Sequence, residues 1–259
     1  SAFANCSRLI EVIFQGSLEG PSKLTEIANF LFTGCSSLSN ITIPENVTKI
    51  GCAAFKDCSS LTHITIQGNV TSIDDNAFGG CSSLTEINLP NTLTSITGNL
   101  FDGCSSLKRI TIPESVTTIE SSAFRNCSAL TSITIPGSVK SIGTYAFAGC
   151  SSLTEIKLPD ALTSISNNLF EDCSSLTSIT IPQNVTKINN YAFRNCRALT
   201  GITIPKKVTS IGTNVFSGCK NLMIISVEDG NAYFSSTGNC LIQTKTKTLI
   251  GGCATSVIP

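Results

Sequence analysis

The sequence has few of the residues on which catalytic and metal sites depend. It contains no tryptophan, one methionine and one histidine, His63, in 259 residues. A catalytic triad needs its histidine beside a nucleophile and an orienting acid, and His63 falls at a strand position that faces solvent. No phosphate-binding or dinucleotide-binding glycine motif occurs, and the repeated cysteines lack the tight C-x-x-C spacing of zinc sites. The sequence therefore predicts no catalytic residues, no cofactor and no metal site.

Charge is scarce and balanced. Lysine and arginine number 17, as do aspartate and glutamate, so the formal net charge is zero. Proteins that bind nucleic acid carry a basic stripe for the phosphates, and no such stripe is present here. No run approaches the roughly 18 apolar residues of a membrane span. We therefore expect no nucleic-acid partner and no membrane span in this chain.

The sequence instead contains one repeat, copied many times. A cysteine recurs at a spacing of 23 residues, interrupted by one insertion of six that we place at residues 15–21. Self-similarity at a fixed period of roughly 20 to 50 residues indicates a solenoid, in which each turn buries its apolar side chains against its neighbours. The cysteines of this column are Cys6, Cys35, Cys58, Cys81, Cys104, Cys127, Cys150, Cys173, Cys196 and Cys219.

Each repeat has the same internal order. Phenylalanine stands three residues before the cysteine and leucine three after it, and two aliphatic residues follow at positions six and eight, which is the alternation of a short strand. A proline at position nine lacks the N–H that the strand needs and ends it. The chain returns through a valine or leucine and an isoleucine, and then through a short helical or 3₁₀ turn. Around Cys127 these residues are Phe124, Leu130, Ile133, Ile135, Pro136, Val139 and Ile142.

The cysteine column predicts buried thiols rather than a disulfide framework. Neighbouring turns of a parallel stack lie about 4.8 Å apart, and side chains of one column point the same way instead of towards each other. Such cysteines act as small apolar residues. Cys52 lies outside the column, and Cys240 and Cys253 lie in the tail, where the sequence leaves open whether they pair.

The repeat pattern fails from Glu228 onward. Alternating runs at 240–244 and 247–250 predict a hairpin-like extension before the next repeat. We therefore divide the chain into a repeat array at 1–227 and an irregular unit at 228–259. The opening Ser-Ala-Phe matches Ser122–Phe124 in mid-repeat, and we expect a fragment of a longer array whose end turns expose the core residues Phe3, Leu9, Val257 and Ile258.

The columns Phe-x-x-Cys-x-x-Leu-x-x-Ile-x-Ile-Pro-x-x-Val-x-x-Ile closely resemble the BspA-like, or Treponema-type, leucine-rich repeat. The resemblance covers residues 1–227, and the tail is similar to an interruption found between repeat blocks in that family. It implies a curved right-handed coil with a short parallel β-sheet on the concave face and short strands or 3₁₀ turns elsewhere. It also implies an exported protein, secreted or on the cell surface of bacteria or some protists. The family has no shared active site, so no residue role carries over.

The outward positions of the predicted strand are the informative ones. Position seven after the cysteine is mostly threonine, which suits a solvated strand by propensity alone. Position five varies while its neighbours stay constant. Either nothing constrains an exposed site, or a fixed scaffold varies its contact surface. As ligand-binding residues on the concave face the sequence predicts Asn40, His63, Glu86, Arg109, Ser132, Glu155, Lys157 and Ser178.

Two functions are compatible with these patterns. The first is a non-enzymatic adhesion module whose concave face binds a host or cell-surface protein, for example from the extracellular matrix, or a glycan. The second is a structural spacer of a larger surface protein, with no ligand of its own. Both place the protein outside the cell or on its surface, with the signal and the anchor outside this fragment.

Overall fold

The structure, a computed structural model, describes residues 2–14, 23–253 and 255–257. Each repeat forms one turn of a β-solenoid, and the described residues contain strands and turns but no helix. The six-residue insertion predicted at 15–21 lies outside the described residues. The predicted solenoid is confirmed, with two strands in most turns: a long one after the cysteine and a short one after the proline.

The long strands form the first side of the coil. Their central isoleucine is buried and its two neighbours are exposed, as in Glu86–Asn88 and Arg109–Thr111. This alternation arises because successive strand residues point to opposite faces of a sheet. The long strands are β2 (Asn40–Thr42), β4 (His63–Thr65), β6 (Glu86–Asn88), β8 (Arg109–Thr111), β10 (Ser132–Thr134), β12 (Glu155–Lys157), β15 (Gly201–Ile204) and β17 (Ile224–Val227).

The short strands form the second side. Each has two residues, of which the second is an isoleucine that points into the core. They form three sheets of three strands each, and within a sheet neighbouring turns pair in parallel without register shift, as in Ser95↔Thr118 and Ile96↔Ile119. They are β1 (Glu26–Ile27), β3 (Lys49–Ile50), β5 (Ser72–Ile73), β7 (Ser95–Ile96), β9 (Thr118–Ile119), β11 (Ser141–Ile142), β13 (Ser164–Ile165), β14 (Lys187–Ile188) and β16 (Ser210–Ile211).

The six residues before each column cysteine form the third side, here called the turn side. Bonds of the 3₁₀ type occur within it, for example from the N–H of Cys58 to the carbonyl oxygen of Phe55 over 3.1 Å. The N–H groups five, three and one residues before the cysteine point instead to the next turn. Those of Ala53, Phe55 and Asp57 donate to carbonyl oxygens of the following repeat over 2.9, 2.8 and 2.7 Å. The turn side is therefore a third hydrogen-bonded ladder and does not continue as a helix.

Left-handed backbone makes this ladder possible. The residue immediately before the cysteine has a positive φ in every described turn, and it is always Asn, Asp or Gly, the residues that tolerate this region. A second left-handed column lies five residues before the cysteine. It consists of Phe30, Ala53, Asn76, Asn99, Ser122, Tyr145, Asn168, Tyr191 and Asn214.

The core is a continuous column. Ten phenylalanines stack from Phe3 to Phe216, with centroids of neighbouring rings 5.4 to 6.0 Å apart and nearly parallel planes. Offset stacking of this kind adds to the hydrophobic contribution of each ring. The leucine, isoleucine and valine columns fill the rest of each turn and are buried, mostly to completion. At the first turn Phe3 is 45% exposed, because no described turn covers it.

The column cysteines are hydrogen-bond donors as well as small apolar residues. Nine thiols, from Cys35 to Cys219, each donate to the carbonyl oxygen of the phenylalanine one repeat earlier over 3.0 to 3.2 Å. Burial raises the pKa of Cys58, Cys104 and Cys150 to about 12, because a thiolate is poorly solvated inside the core. These three thiols are therefore neutral donors, and each joins its turn to the one before it.

The tail forms a small antiparallel sheet after β17. Its strands are β18 (Phe234–Thr237), β19 (Cys240–Gln243) and β20 (Thr248–Gly251), in that order. Cys240 and Cys253 are not bonded to each other and donate to different carbonyl oxygens, those of Val257 and Met223. Val257 is 70% exposed and Leu9 half-buried, while Ile258 lies outside the described residues. No described segment forms a helix able to cross a membrane.

Candidate functional site

The predicted contact residues lie in one row on the outer side of the long strands, here called the long-strand face. In-register parallel pairing sets them side by side: Asn40 beside His63, Glu86 beside Arg109 and Ser132 beside Glu155. All are exposed, because each precedes a buried isoleucine on a strand of period two. Lys157 lies on the same face, two residues after Glu155. The structure thus brings these side chains onto one surface and leaves their binding role a prediction.

The row is not a single uninterrupted sheet. The long strands divide into a pair (β2 and β4), a group of four (β6, β8, β10 and β12) and a second pair (β15 and β17). Ser178 has the predicted position but belongs to no strand. The continuous part of the row therefore runs from Glu86 to Glu155. Ser178 lies in the next turn, where strand pairing is interrupted, and this interruption is here called the opening.

The opening is not caused by the sequence of the open segment. Residues 130–136 and 176–182 are the same heptapeptide, Leu-Thr-Ser-Ile-Thr-Ile-Pro, yet the first contains β10 and the second no strand. Thr177 still donates its N–H to Thr154 over 3.1 Å, but the N–H groups of 178–181 reach no backbone acceptor among the described residues. Ile179 is also partly exposed, whereas Ile133 is 6% exposed. The neighbouring turns decide which copy pairs.

A groove of about 650 Å³ lies on the long-strand face at this opening. Of the predicted residues, Ser132, Glu155, Lys157 and Ser178 line it, and Asn40, His63, Glu86 and Arg109 do not. Asp160 was not predicted, since it follows the proline instead of occupying a strand position, and it supplies a second carboxylate. The groove combines charges of both signs, threonine and serine hydroxyls and the exposed edge of Ile179. These groups suit the mixed polar and apolar surface of a protein partner.

Glu86 and Arg109 do not neutralise each other. They are partners in register, but among the described residues salt bridges join only Lys49 to Asp74 and Arg194 to Glu171, each over 3.0 Å. Both side chains are exposed. Their charges are thus available to a partner.

His63 has the role of a surface residue. Its Nδ1 lies 2.9 Å from the hydroxyl of Thr62, and its side chain is exposed on β4. Within the described part of the chain, no group of three or more His, Cys, Asp or Glu side chains is placed to hold a metal ion.

The turn side carries a second cluster that the sequence analysis missed. Tyr145 and Tyr191 lie in the left-handed column five residues before the cysteine, and each ring contacts an arginine, Arg125 and Arg194 respectively. The available signal was three aromatic residues, Phe30, Tyr145 and Tyr191, in a column otherwise made of asparagine and small residues. A repeat alignment that considered all outward columns equally would have found it.

Known proteins share the repeat and the fold. A family model described as "BspA type Leucine rich repeat region" matches six copies over residues 1–131 and 117–240. A leucine-rich repeat protein from Bacteroides ovatus is 27% identical at a TM-score of 0.52, and the match covers 88% of this chain and 75% of that one. Pneumococcal vaccine antigen PcpA is 24% identical at a TM-score of 0.60, covering 82% and 56%. The latter likeness concerns the fold alone.

A leucine-rich cell surface protein from Faecalibacterium prausnitzii is 30% identical, with 79% of this chain and 77% of that one covered, at a TM-score of 0.39. No curated protein sequence matches the chain.

Proposed function

The chain belongs to the BspA-type leucine-rich repeat family, and on this premise we propose that it is a non-enzymatic interaction module that binds a partner protein through its long-strand face. Repeat solenoids use extended regular surfaces for this purpose. The partner is a host or cell-surface protein, and the module acts outside the cell or on its surface as an adhesin. Family membership supports this assignment.

The observation that carries the proposal is the groove at Ser132, Glu155, Lys157 and Ser178. Position five is the variable outward position of the repeat, and three of its residues line this groove. Pairing of β12 with β10 fixes the backbone of Glu155 and Lys157, so little backbone freedom is lost on binding. A partner protein whose basic and acidic groups are as far apart as the charges of Glu155 and Lys157 would form an ion pair with each of them.

The test uses a panel of purified extracellular-matrix proteins, each immobilised and exposed to the chain. Glu155→Ser, Lys157→Ser and Asp160→Ser, combined, remove all three charges from the groove. The matched control replaces outward residues of the short-strand side, Thr118→Ser, Lys140→Ser and Lys187→Ser. We expect the first variant to lose capture by roughly tenfold or more and the second to keep it.

The other outcomes are equally informative. If capture survives the groove substitutions and is lost in the control, the short-strand side carries the function. If no matrix protein or host-cell surface retains the chain under any condition, the spacer function is favoured and the adhesin proposal fails.

A further inference from the structure

Two tyrosines of the turn side occupy a backbone conformation that suits them poorly. Tyr145 has a φ of 59° and Tyr191 a φ of 57°, both in the left-handed region. Equivalent positions in other turns hold Asn76, Asn99 and Asn214, and asparagine accepts this region far more readily than an aromatic residue. Bulky residues held in such a conformation cluster at binding and catalytic sites. The chain thus places two aromatic rings on its surface at a cost that asparagine would avoid.

Each ring has a guanidinium beside it. The Cζ atom of Arg125 lies 5.7 Å from the ring centroid of Tyr145, and that of Arg194 lies 5.6 Å from the ring centroid of Tyr191. At this distance the cation is attracted to the ring. Arg125 forms no salt bridge with any residue that the structure describes. Its N–H groups are therefore available to a ligand that contacts Tyr145.

Glu171, between the two arginine–tyrosine pairs, is held in a fixed geometry. Its Oε1 accepts from Nη1 of Arg194 over 3.0 Å, and its Oε2 accepts from Nδ2 of Asn168 over 2.7 Å. Asn168 is 7% exposed and is the one buried polar side chain of the described chain. Charge-assisted hydrogen bonds to both of its oxygens immobilise the Glu171 carboxylate. The surface between the two tyrosines is therefore preorganised.

A polar cavity of about 470 Å³ lies at this place. Its lining includes Arg125, Asn126, Tyr145, Glu171 and Asp172. Glu171 is neutralised by its salt bridge with Arg194, which does not line the cavity. The remaining charges of the lining, the guanidinium of Arg125 and the carboxylate of Asp172, balance each other, so the site favours neither an anion nor a cation. The lining supplies amide, guanidinium and carboxylate groups, which donate to and accept from hydroxyls.

We propose that this cavity is a binding site for a neutral glycan. The C–H face of a pyranose ring packs against the electron-rich face of a tyrosine, while its hydroxyls bond to Arg125, Asn126 and Asp172. Tyr191 does not line the cavity. It lies two turns from Tyr145, roughly 10 Å at the spacing of stacked strands, so a ligand of several sugar rings that occupies the cavity extends to Tyr191. The site lies on the turn side and is independent of the proposed protein contact on the long-strand face.

The experiment measures binding of three neutral tetrasaccharides, cellotetraose, maltotetraose and chitotetraose, by calorimetry. Tyrosine emission provides a second readout, because the chain has three tyrosines and no tryptophan. We expect saturable binding of at least one of the three. Tyr145→Asn should weaken it by roughly tenfold or more, and Tyr191→Asn should weaken it as well.

Both variants should remain folded, because asparagine is the residue that other turns have at the same position. A loss of binding can therefore be attributed to the missing tyrosine ring. The matched control is Phe30→Asn, which replaces an exposed aromatic residue with a φ of 58° in the same column. Among the residues that the structure describes, no arginine lies over the Phe30 ring. It should leave the affinity unchanged. Absence of binding for all three sugars, or equal affinities in wild type and Tyr145→Asn, would overturn the proposal. Binding of heparin fragments in place of the neutral sugars would show that the ligand is an anionic glycan and contradict the proposal of a neutral one.

Discussion

The thiol of Cys81 donates a hydrogen bond to the backbone carbonyl oxygen of Phe55, in the preceding turn, over 3.2 Å. The same bond recurs from Cys58 to Phe32 and from Cys104 to Phe78. Alanine or valine would fill similar space but donate nothing, leaving a buried carbonyl with one partner fewer. The relationship explains why a cysteine, and not simply a small apolar residue, occupies the column.

The buried thiols should resist alkylation in the folded protein. Cys58, Cys104 and Cys150 are buried, and burial raises the pKa of each to about 12, so little of the reactive thiolate forms at neutral pH. Iodoacetamide should therefore modify Cys6 and Cys52, which are at least partly exposed, long before these three buried thiols. Mass spectrometry before and after denaturation measures the difference. Recovery of disulfide-linked column peptides would contradict this prediction.

The same thiols should make the protein sensitive to alkali. In the unfolded chain a thiol has a pKa near the ordinary value of 9.0, whereas in the fold that of Cys104 is about 12. The stabilisation is complete below pH 9 and is lost as the pH rises towards 12, because only the unfolded state releases the proton. Each such thiol should lower the free energy of unfolding by about 1.4 kcal/mol per pH unit in this window.

Urea unfolding at several pH values from 8 to 11 measures that slope. Cys104→Ala should reduce the slope by about one thiol's share, 1.4 kcal/mol per pH unit, although it lowers stability at neutral pH. An unchanged slope in this variant would show that other groups cause the alkaline sensitivity.

Gly80→Ala should destabilise the array by about 1 to 2 kcal/mol from backbone conformation alone. Gly80 has a φ of +75°, and a Cβ there would overlap Oδ1 of Asp57 in the preceding turn. Gly137→Ala is the matched control, since nothing lies within 4 Å of its added Cβ and its φ is not in the left-handed region. Urea denaturation measures the free energy of unfolding of both variants. Equal values would show that the left-handed backbone before the cysteine does not require glycine.

Replacing Glu86 and Arg109 together with serine should leave stability within about 0.5 kcal/mol of wild type. The two side chains are exposed and form no salt bridge with each other. A thermal melt of the double variant measures this. A loss clearly above that value would show that the pair supports the fold and is not simply available to a partner.

Most of this fold can be predicted from the sequence because each structural position holds the same residue type in repeat after repeat. The spacing of Phe124, Cys127 and Leu130 recurs in turn after turn, so the core columns, the strand after the cysteine and its end at the proline follow from periodicity. The turn-side ladder cannot be predicted from the sequence in this way. Its donors are backbone N–H groups, which every residue except proline has, so the ladder constrains the sequence only at the asparagine, aspartate or glycine before the cysteine.

The candidate site is predictable only in part. Variation at position five identified Ser132, Glu155 and Ser178, but not the groove between them. Two copies of one heptapeptide differ in pairing, so the opening at 178–181 depends on neighbouring turns and cannot be found by inspecting that segment. Tyr145 and Tyr191 were missed for a different reason, since their exposure depends on a left-handed backbone that aromatic residues rarely adopt.

The three ladders also determine how the chain would respond to tension. The backbone hydrogen bonds of these ladders join each turn to the turns directly before and after it, so a pull along the axis loads one interface at a time and peels the coil from an end. A turn occupies about 4.8 Å of the axis, but its 23 residues would span roughly 80 Å when extended. Under the proposed adhesion function, a cell held through such a coil moves away by many times the length of the folded array before the chain becomes taut.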